Sequence, residues 1–517
     1  MKKKLSVCLL LISLVFSGNG CLSIAAWEWA EGCSLVFWMW ILSLHGLPGN
    51  HCCPGCDTCN TVSPQWASTA TTGPDASVYY SAAASEGGIY AAGSITGNRL
   101  YDFGKAGLTS AGFAGGTNAL MVKYEPDGTA LWTATVSAAP DNTCFYSVSA
   151  GSDGIYAAGT MDGNENFSFG DGVIVSGHYA SGSNTLLVKY DSSGKPLWGR
   201  SVTTGPDASS LYAVTAGSDG IYVLGSIMGT GTYDFGNGVT ATGAGSGSNA
   251  VIVKYDLNGT PLWARTIAAG SGDSCFQAIA VKEEYVLAAG YIAGDRLYDF
   301  GDSKTASGKY NSGPNSVLVK YSADGTVHWA ESIAGGSNSS SFQSIAFAGE
   351  MVYAAGYMTG IGQYDFGNGK KAVGGGNGPN AVLVQYSLTG TAQWARSVTS
   401  NPDSSCYTSV STGSDGVYAV GFINGRLPYN FGNAMMVSGA YAGGPNVVLV
   451  KYNTAGTTQW AKSAVSGKLE SCFQSVAASD NGIYSAGYIY GYYPYDFWNG
   501  LSVTGAFTGS NCVLVKY

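Results

Sequence analysis

The chain has 517 residues, a formal net charge of −9 and a sequence pI near 4.9. An acidic chain lacks the basic face that phosphate backbones require. Nucleic acid is therefore excluded as a partner, and charge-driven binding to anionic membranes is disfavoured. Glycine accounts for 76 residues, and only 11% of the residues are charged. This composition favours short β-strands joined by glycine-rich turns over long helices.

The N-terminus predicts export from the cytoplasm. Met1–Lys4 is positively charged, and Leu5–Phe16 is an apolar stretch that is too short to span a bilayer. This order of segments is typical of a secretory signal peptide, which we assign to residues 1–21. We expect the protein at the bacterial cell envelope or surface, or secreted.

A cysteine at the end of this segment suggests an anchor. Gly20 before Cys21 resembles the lipobox of bacterial lipoproteins, in which the cysteine is acylated. Gly18, however, stands where that motif carries a leucine-like residue. Ordinary cleavage near residues 23–26 is the alternative, so lipidation of Cys21 stays open. A lipid there is the only membrane attachment that we expect.

Residues 22–61 belong to no repeat and are rich in cysteine. Cys52, Cys53, Cys56 and Cys59 form two overlapping Cys-x-x-Cys spacings, which suit Zn²⁺ or an iron–sulfur cluster. No second Cys-x-x-Cys pair follows at the spacing of a zinc ribbon. In an exported protein, a small disulfide-bonded segment is the alternative. Both interpretations remain open.

From residue 62 onward, a segment similar to Val-Leu-Val-Lys-Tyr recurs at nearly constant spacing. Its final tyrosines are Tyr124, Tyr190, Tyr255, Tyr321, Tyr386, Tyr452 and Tyr517. A tryptophan recurs in register, at Trp66, Trp132, Trp198, Trp263, Trp329, Trp394 and Trp460. Repeats of fixed period build one object rather than several. We therefore assign residues 62–517 to one domain.

Each repeat predicts four short antiparallel strands. In the second repeat, they begin at Ser147, Ile155, Asn184 and Pro196, and tight glycine-containing turns separate the first from the second and the third from the fourth. Seven such units predict an all-β fold, a seven-bladed β-propeller.

Two of the recurring units have a known counterpart. Tyr-x-x-x-Gly-x-x-x-Trp-Ala-Arg-Ser-Val and Gly-Ser-Asp-Gly-Ile-Tyr-Ala-Ala-Gly are similar to the bacterial seven-bladed β-propeller repeat, abbreviated SBBP. The resemblance covers residues 62–517 and implies a propeller in an exported bacterial protein. Members of that family share no biochemical activity, so the resemblance implies no substrate, cofactor or catalytic residue.

The two ends of the repeat array are complementary. Trp66 has no repeat tyrosine before it, and Tyr517 has no repeat tryptophan after it. If the first strand of each repeat is innermost, the tryptophan strand is outermost. The segment Ser63–Thr69 then completes the last blade. Such closure removes the exposed strand edges that promote aggregation.

Periodic acids give the candidate site. Asp75, Asp141, Asp207, Asp273 and Asp403 recur in the segment between the outer strand of one repeat and the inner strand of the next. The topology places this segment on the same face as the long loop between the second and third strands. Loops on a rigid scaffold are where binding residues concentrate. These carboxylates could bind Ca²⁺ or a polar ligand, or could simply form turns. We predict no other cofactor.

Other recurring residues are expected to be structural. An asparagine such as Asn118 precedes every third strand and should bond the loop backbone. The loop motif that is Tyr-Asp-Phe-Gly at residues 101–104 should be turn chemistry. The cysteines of the repeats should be free, buried thiols, namely Cys144, Cys275, Cys406, Cys472 and Cys512.

Three functional hypotheses follow. The first is a monomeric binding or interaction scaffold whose ligand is an unknown protein or glycan. The second is an extracellular hydrolase or lyase that acts on polysaccharide, and the third is a purely structural surface repeat protein. Only His178 and His328 lie in the repeats, and no Ser-His-Asp set or glycosidase carboxylate pair stands out. We assign no catalytic residue and favour the scaffold.

Overall fold

A computed structural model describes residues 63–400 and 403–517, together with two upstream strands, Leu14–Phe16 and Leu22–Ile24. The chain forms two compact units, Met1–Val62 and Ser63–Tyr517. In the first unit, the two strands pair antiparallel, with Leu14 opposite Ile24. Within the described part of the chain, no helix is long and apolar enough to cross a membrane.

The second unit is a seven-bladed β-propeller, as the repeats predicted. Seven four-stranded antiparallel sheets form its blades. The first strands are Ser77–Ser85, Thr143–Gly151, Ser209–Gly217, Ser274–Lys282, Ser340–Ala348, Ser405–Gly413 and Ser471–Ser479. The second strands are Gly88–Thr96, Gly154–Asp162, Gly220–Met228, Tyr285–Ala293, Met351–Thr359, Gly416–Asn424 and Gly482–Tyr490. These two strands form the inner half of each blade.

The outer half of each blade contains the two most recognisable sequence segments. The third strands are Thr117–Tyr124, Ser183–Tyr190, Ser248–Tyr255, Pro314–Ser322, Pro379–Ser387, Pro445–Tyr452 and Ser510–Lys516. The fourth strands of blades 1 to 6 are Ala130–Thr135, Pro196–Arg200, Pro261–Thr266, Val327–Ser332, Ala392–Ser397 and Thr458–Ser463. The third strand is buried along nearly its whole length because both of its faces pack against neighbouring blades.

The first strand of each blade is innermost, as predicted. Within a blade the strands are paired in the order first, second, third and fourth. First strands of neighbouring blades are also joined to each other. The backbone N–H of Val148 donates to Ser81 Oγ at 3.1 Å, and that of Val214 donates to Ser147 Oγ at the same distance. In blades 1, 2, 5, 6 and 7, the serine after the bulge in the first strand thus links successive blades around the central channel, whereas blades 3 and 4 have Ala213 and Ala278 there.

The ring closes as the two loose ends predicted. Trp66–Thr69 is the fourth strand of blade 7 and pairs antiparallel with Ser510–Lys516. Trp66 lies opposite Lys516, and the Thr69 hydroxyl donates to the Cys512 carbonyl at 2.6 Å. The prediction of closure is confirmed. The edge of the last blade is therefore covered by a strand from the opposite end of the domain.

The long loop between the second and third strands contains a small hairpin that the sequence analysis did not predict. Its two strands are Tyr101–Asp102 with Leu108–Thr109, Asn166–Gly170 with Val173–Ser176, Thr232–Asp234 with Thr240–Thr242, Leu297–Asp299 with Thr305–Ser307, Gln363–Asp365 with Lys371–Val373, Tyr429–Asn430 with Met436–Val437 and Pro494–Asp496 with Ser502–Thr504. In blade 1, Gly104–Ala106 between them is a 3-10 turn. Each hairpin pairs with the segment that links two blades, as Thr72 does with Asp102.

These pairings put the long loops and the linking segments on one face, which we call the long-loop face. The loop residues also behave as predicted. The Asn118 side chain accepts a hydrogen bond from the Phe113 N–H at 2.9 Å and donates to the Gly97 carbonyl at 3.1 Å. The Tyr101 hydroxyl donates to the Thr96 carbonyl at 2.8 Å. The loops are therefore held in place by buried side chains of the repeat itself.

The opposite face carries only tight turns, and these are fixed to neighbouring blades. The Trp66 indole Nε1 donates to the Pro126 carbonyl of blade 1 at 2.9 Å. Its ring covers Gly128, where φ is +89° and a Cβ atom would lie 2.7 Å from the indole. Equivalent bonds join other neighbouring blades, with the pairs Trp132–Ser192, Trp263–Ala323, Trp329–Leu388 and Trp394–Thr454. The tryptophans are structural, and the glycine in the turn is required sterically.

Candidate functional site

The five predicted aspartates lie on the long-loop face, in five separate blade-linking segments. Among the described residues, no three His, Cys, Asp or Glu side chains are close enough to hold a metal ion. All five accept a local hydrogen bond or form an ion pair, namely Asp75 with Arg99, Asp141 with Asn142, Asp207 with Ala208, Asp273 with Ser248 and Asp403 with Ser404. Calcium binding stays a prediction.

The N-terminal candidates, Cys21 and the cluster Cys52, Cys53, Cys56 and Cys59, lie outside the described residues. So does the rest of the assigned signal peptide, residues 1–21, apart from the strand Leu14–Phe16. The cysteines of the propeller are free and buried, as predicted. Burial raises the pKa of the Cys406 thiol to about 12, so this group is an inert part of the core rather than a nucleophile.

The structure also shows a ring of aromatic side chains at the channel mouth, which the sequence analysis missed. We call it the aromatic collar, and each blade contributes one member. The members are Tyr80, Tyr146, Tyr212, Tyr291, Tyr357, Phe422 and Tyr488. All seven are half-buried, near the ends of strands that lead into the long-loop face. A ring of partly exposed aromatic rings is available for contact with a ligand.

The collar is continuous over much of the ring. The ring centroids of Tyr80 and Tyr146 are 5.6 Å apart, and those of Tyr146 and Tyr212 are 6.0 Å apart. Beyond burial, the nearby phenols of Tyr212 and Tyr357 add to the rise in the pKa of Tyr291, and that of Tyr80 adds to the rise in the pKa of Tyr488. Neighbouring blades thus support each other's aromatic side chains.

Two different strand positions supply these residues. In blades 1 to 3, the aromatic residue is at the bulge of the first strand, and the second strand carries a small residue, giving the pairs Tyr80/Ser94, Tyr146/Thr160 and Tyr212/Ser226. In blades 4 to 7, the arrangement is reversed, giving Gln277/Tyr291, Gln343/Tyr357, Thr408/Phe422 and Gln474/Tyr488. No blade has two aromatic residues at these positions, and none lacks one.

A steric reason accounts for this exchange. The Thr160 hydroxyl donates to the Tyr146 hydroxyl at 3.5 Å, so the phenol of the first strand reaches over the second-strand position of its own blade. In blade 4, Tyr291 occupies that position itself. Two aromatic rings in one blade would compete for the same space, whereas a blade without an aromatic ring would have a gap there. A comparison of the repeats at these two positions could have revealed the collar from the sequence.

Beside the collar, a cleft of about 850 Å³ opens on the long-loop face around blade 4. Its polar residues include Asp273, Asp295 and Arg296, and its aromatic residues are Tyr291 and Tyr357. The rest of its wall is mostly glycine and serine of the surrounding loops. Its volume lies within the range of small-molecule binding pockets, about 300–1,000 Å³.

The tyrosines of the cleft are neutral hydrogen-bonding groups at ordinary pH. Burial raises the pKa of Tyr291 to about 12, and the nearby Cys275 thiol and Asp273 carboxylate add to the rise. Burial also raises the pKa of Tyr357. Each phenol therefore keeps its proton and offers both a flat apolar ring and a hydroxyl donor.

The fold defines the chain as a seven-bladed β-propeller protein. No protein family model matches the chain, and no curated protein sequence matches it. Among solved structures, the chain is similar to the Phage phi92 endosialidase, with 11% sequence identity and a TM-score of 0.36. That match covers 87% of this chain and 68% of the endosialidase chain. A match this distant defines no family, substrate or activity.

Proposed function

We propose that this propeller is a binding module that recognises a protein or glycan ligand through the long-loop face. The observation that carries the proposal is the difference between its two faces. The long-loop face has the variable loops, the aromatic collar and the cleft. The opposite face has tight turns whose polar groups bond to neighbouring strands and blades, as the Lys189–Asp153 ion pair at 2.6 Å illustrates.

Charge and chemistry support a scaffold more than a catalyst. The five aspartates lie in five separate blade-linking segments of the ring. They therefore form no pair or cluster of acids that could act together. The carboxylates are engaged in local bonds instead, as Asp75 is with Arg99 at 2.7 Å. Rigid loops with partly exposed aromatic rings are typical of contact surfaces.

The test is binding of the purified full chain to arrays of glycans and extracellular matrix proteins. Two charge-reversed variants locate the contact. Asp207→Lys with Asp403→Lys alters the long-loop face, and Glu86→Lys with Asp480→Lys alters exposed turns of the opposite face. We expect the first pair to weaken binding and the second pair to leave it unchanged. Equal loss from both pairs, or loss from the second alone, would contradict the proposal.

We also propose that the protein is exported and acts at the bacterial cell envelope or surface, or as a secreted protein. The charged and apolar segments before Cys21 support this, as does the similarity of the repeats to SBBP sequences. Intact-mass measurement of the mature protein tests it. A mass that corresponds to a chain starting at Cys21 with added acyl groups would indicate a lipoprotein. A mass that corresponds to the full chain from Met1 would contradict export by a cleaved signal.

A further inference from the structure

Two equivalent arginines on the long-loop face have different partners. In blade 1, Arg99 Nη2 contacts Asp75 Oδ2 at 2.7 Å, so the two charges neutralise each other. In blade 4, Arg296 is equivalent to Arg99, but Gly272 stands at the position of Asp75, and Asp273 is one residue further along, at the position of Ala76. Arg296 Nη1 donates to the Ser271 hydroxyl at 2.7 Å, and within the described residues it forms no ion pair. The arginine is therefore paired with a carboxylate in blade 1 and not in blade 4.

Asp273 and Arg296 line the cleft together with two members of the collar, Tyr291 and Tyr357. Asp273 Oδ1 accepts the Ser248 N–H at 3.0 Å, which holds the carboxylate in place. One cleft therefore contains two flat apolar rings, a carboxylate acceptor and a guanidinium donor.

The geometry points to a neutral oligosaccharide as the ligand of this cleft, an inference that rests on the proposed binding function of the long-loop face. A sugar ring has an apolar face, which stacks on an aromatic ring, and an edge of hydroxyl groups, which both donate and accept hydrogen bonds. The rings of Tyr291 and Tyr357 match the face, and Asp273 and Arg296 match the edge. Sites that bond a ligand hydroxyl lose much of their affinity when one partner is removed.

The charges select a neutral sugar over an acidic one. Asp273 and Asp295 place two carboxylates at the cleft against the single guanidinium of Arg296, and the whole chain has a net charge of −9. An acidic oligosaccharide would be repelled by this balance. A bare cation is not favoured either, since among the described residues no three acidic, histidine or cysteine side chains lie together.

The experiment is calorimetric titration of the full chain with cellohexaose, mannohexaose and chitohexaose as neutral probes, and with oligogalacturonate as the acidic probe. We expect at least one neutral probe to bind and oligogalacturonate not to bind. Arg296→Ala should weaken that binding about tenfold or more, the effect of losing one charge-assisted hydrogen bond. The matched control is Arg99→Ala, which removes the equivalent, carboxylate-paired arginine of blade 1 and should change affinity by less than about twofold.

Two substitutions of Tyr357 distinguish loss of a ligand contact from loss of folding. Tyr357→Phe keeps the ring and removes only the hydroxyl, whereas Tyr357→Ser gives the small residue that blade 3 has at this position, Ser226. We expect Tyr357→Ser to abolish most of the binding and Tyr357→Phe to retain most of it. Equal effects of Arg296→Ala and Arg99→Ala would overturn the location of the site.

Two further outcomes would overturn the inference. One is binding of oligogalacturonate alone, and the other is the absence of binding to every neutral probe. If the array detects a protein ligand that depends on the long-loop face while all sugars fail, the oligosaccharide inference is wrong and the proposed binding function stands. If neither sugars nor proteins bind through this face, both proposals are wrong.

Discussion

Trp66 Nε1 donates a hydrogen bond to the carbonyl of Pro126, which lies 60 residues further along the chain and in the next blade. Trp66 belongs to the strand that closes the ring, and it also contacts Tyr484 of its own blade, with ring centroids 6.1 Å apart. A single residue near the start of the domain thus joins the last blade to the first. The closing strand is fixed both within its blade and across the blade boundary.

Deletion of residues 66–69 should therefore destabilise the whole propeller rather than one blade. It removes the partner of Ser510–Lys516, exposes an unpaired strand edge and breaks the contact with blade 1. We expect loss of a single cooperative unfolding transition in calorimetry, together with aggregation. Deletion of the four hairpin residues 370–373 on the long-loop face is the control and should leave the transition cooperative. A closing-strand deletant with an unchanged melting temperature would contradict this account of closure.

The equivalent tryptophans should differ in their dependence on the indole N–H. Trp394 Nε1 donates to the Thr454 carbonyl at 3.2 Å, in the turn between the third and fourth strands of blade 6. Trp460 faces blade 7, whose third and fourth strands come from opposite ends of the domain and share no such turn. In the described part of the chain, the buried Trp460 Nε1 has no hydrogen-bond partner.

We expect Trp394→Phe to cost about 1–2 kcal/mol more than Trp460→Phe, because only the first substitution removes a hydrogen bond. Chemical denaturation of the two variants measures the difference. Equal losses would show that the N–H of Trp394 contributes nothing beyond the contacts of its ring.

The collar should show strong coupling between its two alternative positions. Gln277→Tyr puts a second aromatic residue into blade 4 and should cost about 1–3 kcal/mol through overpacking. Tyr291→Ser removes a large half-buried side chain and should also destabilise. The double variant reproduces the arrangement of blades 1 to 3, so it should be more stable than the sum of the two losses implies.

A double-mutant cycle on unfolding free energy measures this coupling, which we expect to exceed about 1 kcal/mol. The corresponding exchange in blade 2, Tyr146→Gln with Thr160→Tyr, provides an independent repetition in the opposite direction. Additive losses in both blades would mean that the two positions do not share one space.

Alkaline pH should unfold the propeller through its buried tyrosines. Burial raises the pKa of Tyr452 to about 12, and this hydroxyl is within 2.6 Å of the Tyr407 hydroxyl, whose pKa is raised by burial as well. In the unfolded chain, tyrosine ionises near pH ~10. Because the folded pKa is higher, the stabilisation is fully present below pH ~10 and is lost as the pH rises toward 12.

The expected loss is about 1.4 kcal/mol per pH unit for each tyrosine that ionises only after unfolding. Denaturation at a series of pH values gives the free energy of unfolding, and tyrosinate absorbance reports the ionisation. The two should change together above pH ~10. Reversible ionisation of all tyrosines near their ordinary pKa, with the fold intact, would contradict the burial of this group.

The sequence by itself determined the propeller and the way that it closes. The recurring tryptophans and tyrosines equivalent to Trp66 and Tyr517 predicted the number of blades, because every blade must bury the same kinds of side chain against its neighbours. Trp66 and Tyr517, which lack partners at the two ends of the repeats, predicted the closing strand. Asn118 and its equivalents were correctly interpreted as loop anchors, since a residue present in every repeat serves the repeat and not one site.

Only the tertiary structure brought the residues of the proposed site together. Tyr80 and Tyr291 occupy different positions in the sequence repeat, so periodicity did not group them, but their rings lie in equivalent places beside the channel. Arg99 and Arg296 are equivalent in sequence, but only Arg99 forms an ion pair with an aspartate, because Gly272 stands in blade 4 where blade 1 has Asp75. The sequence contains these substitutions, but only the structure shows that the side chains concerned line one cleft. A repetitive sequence specifies its scaffold many times over, whereas a single site arises where one copy of the repeat is arranged differently.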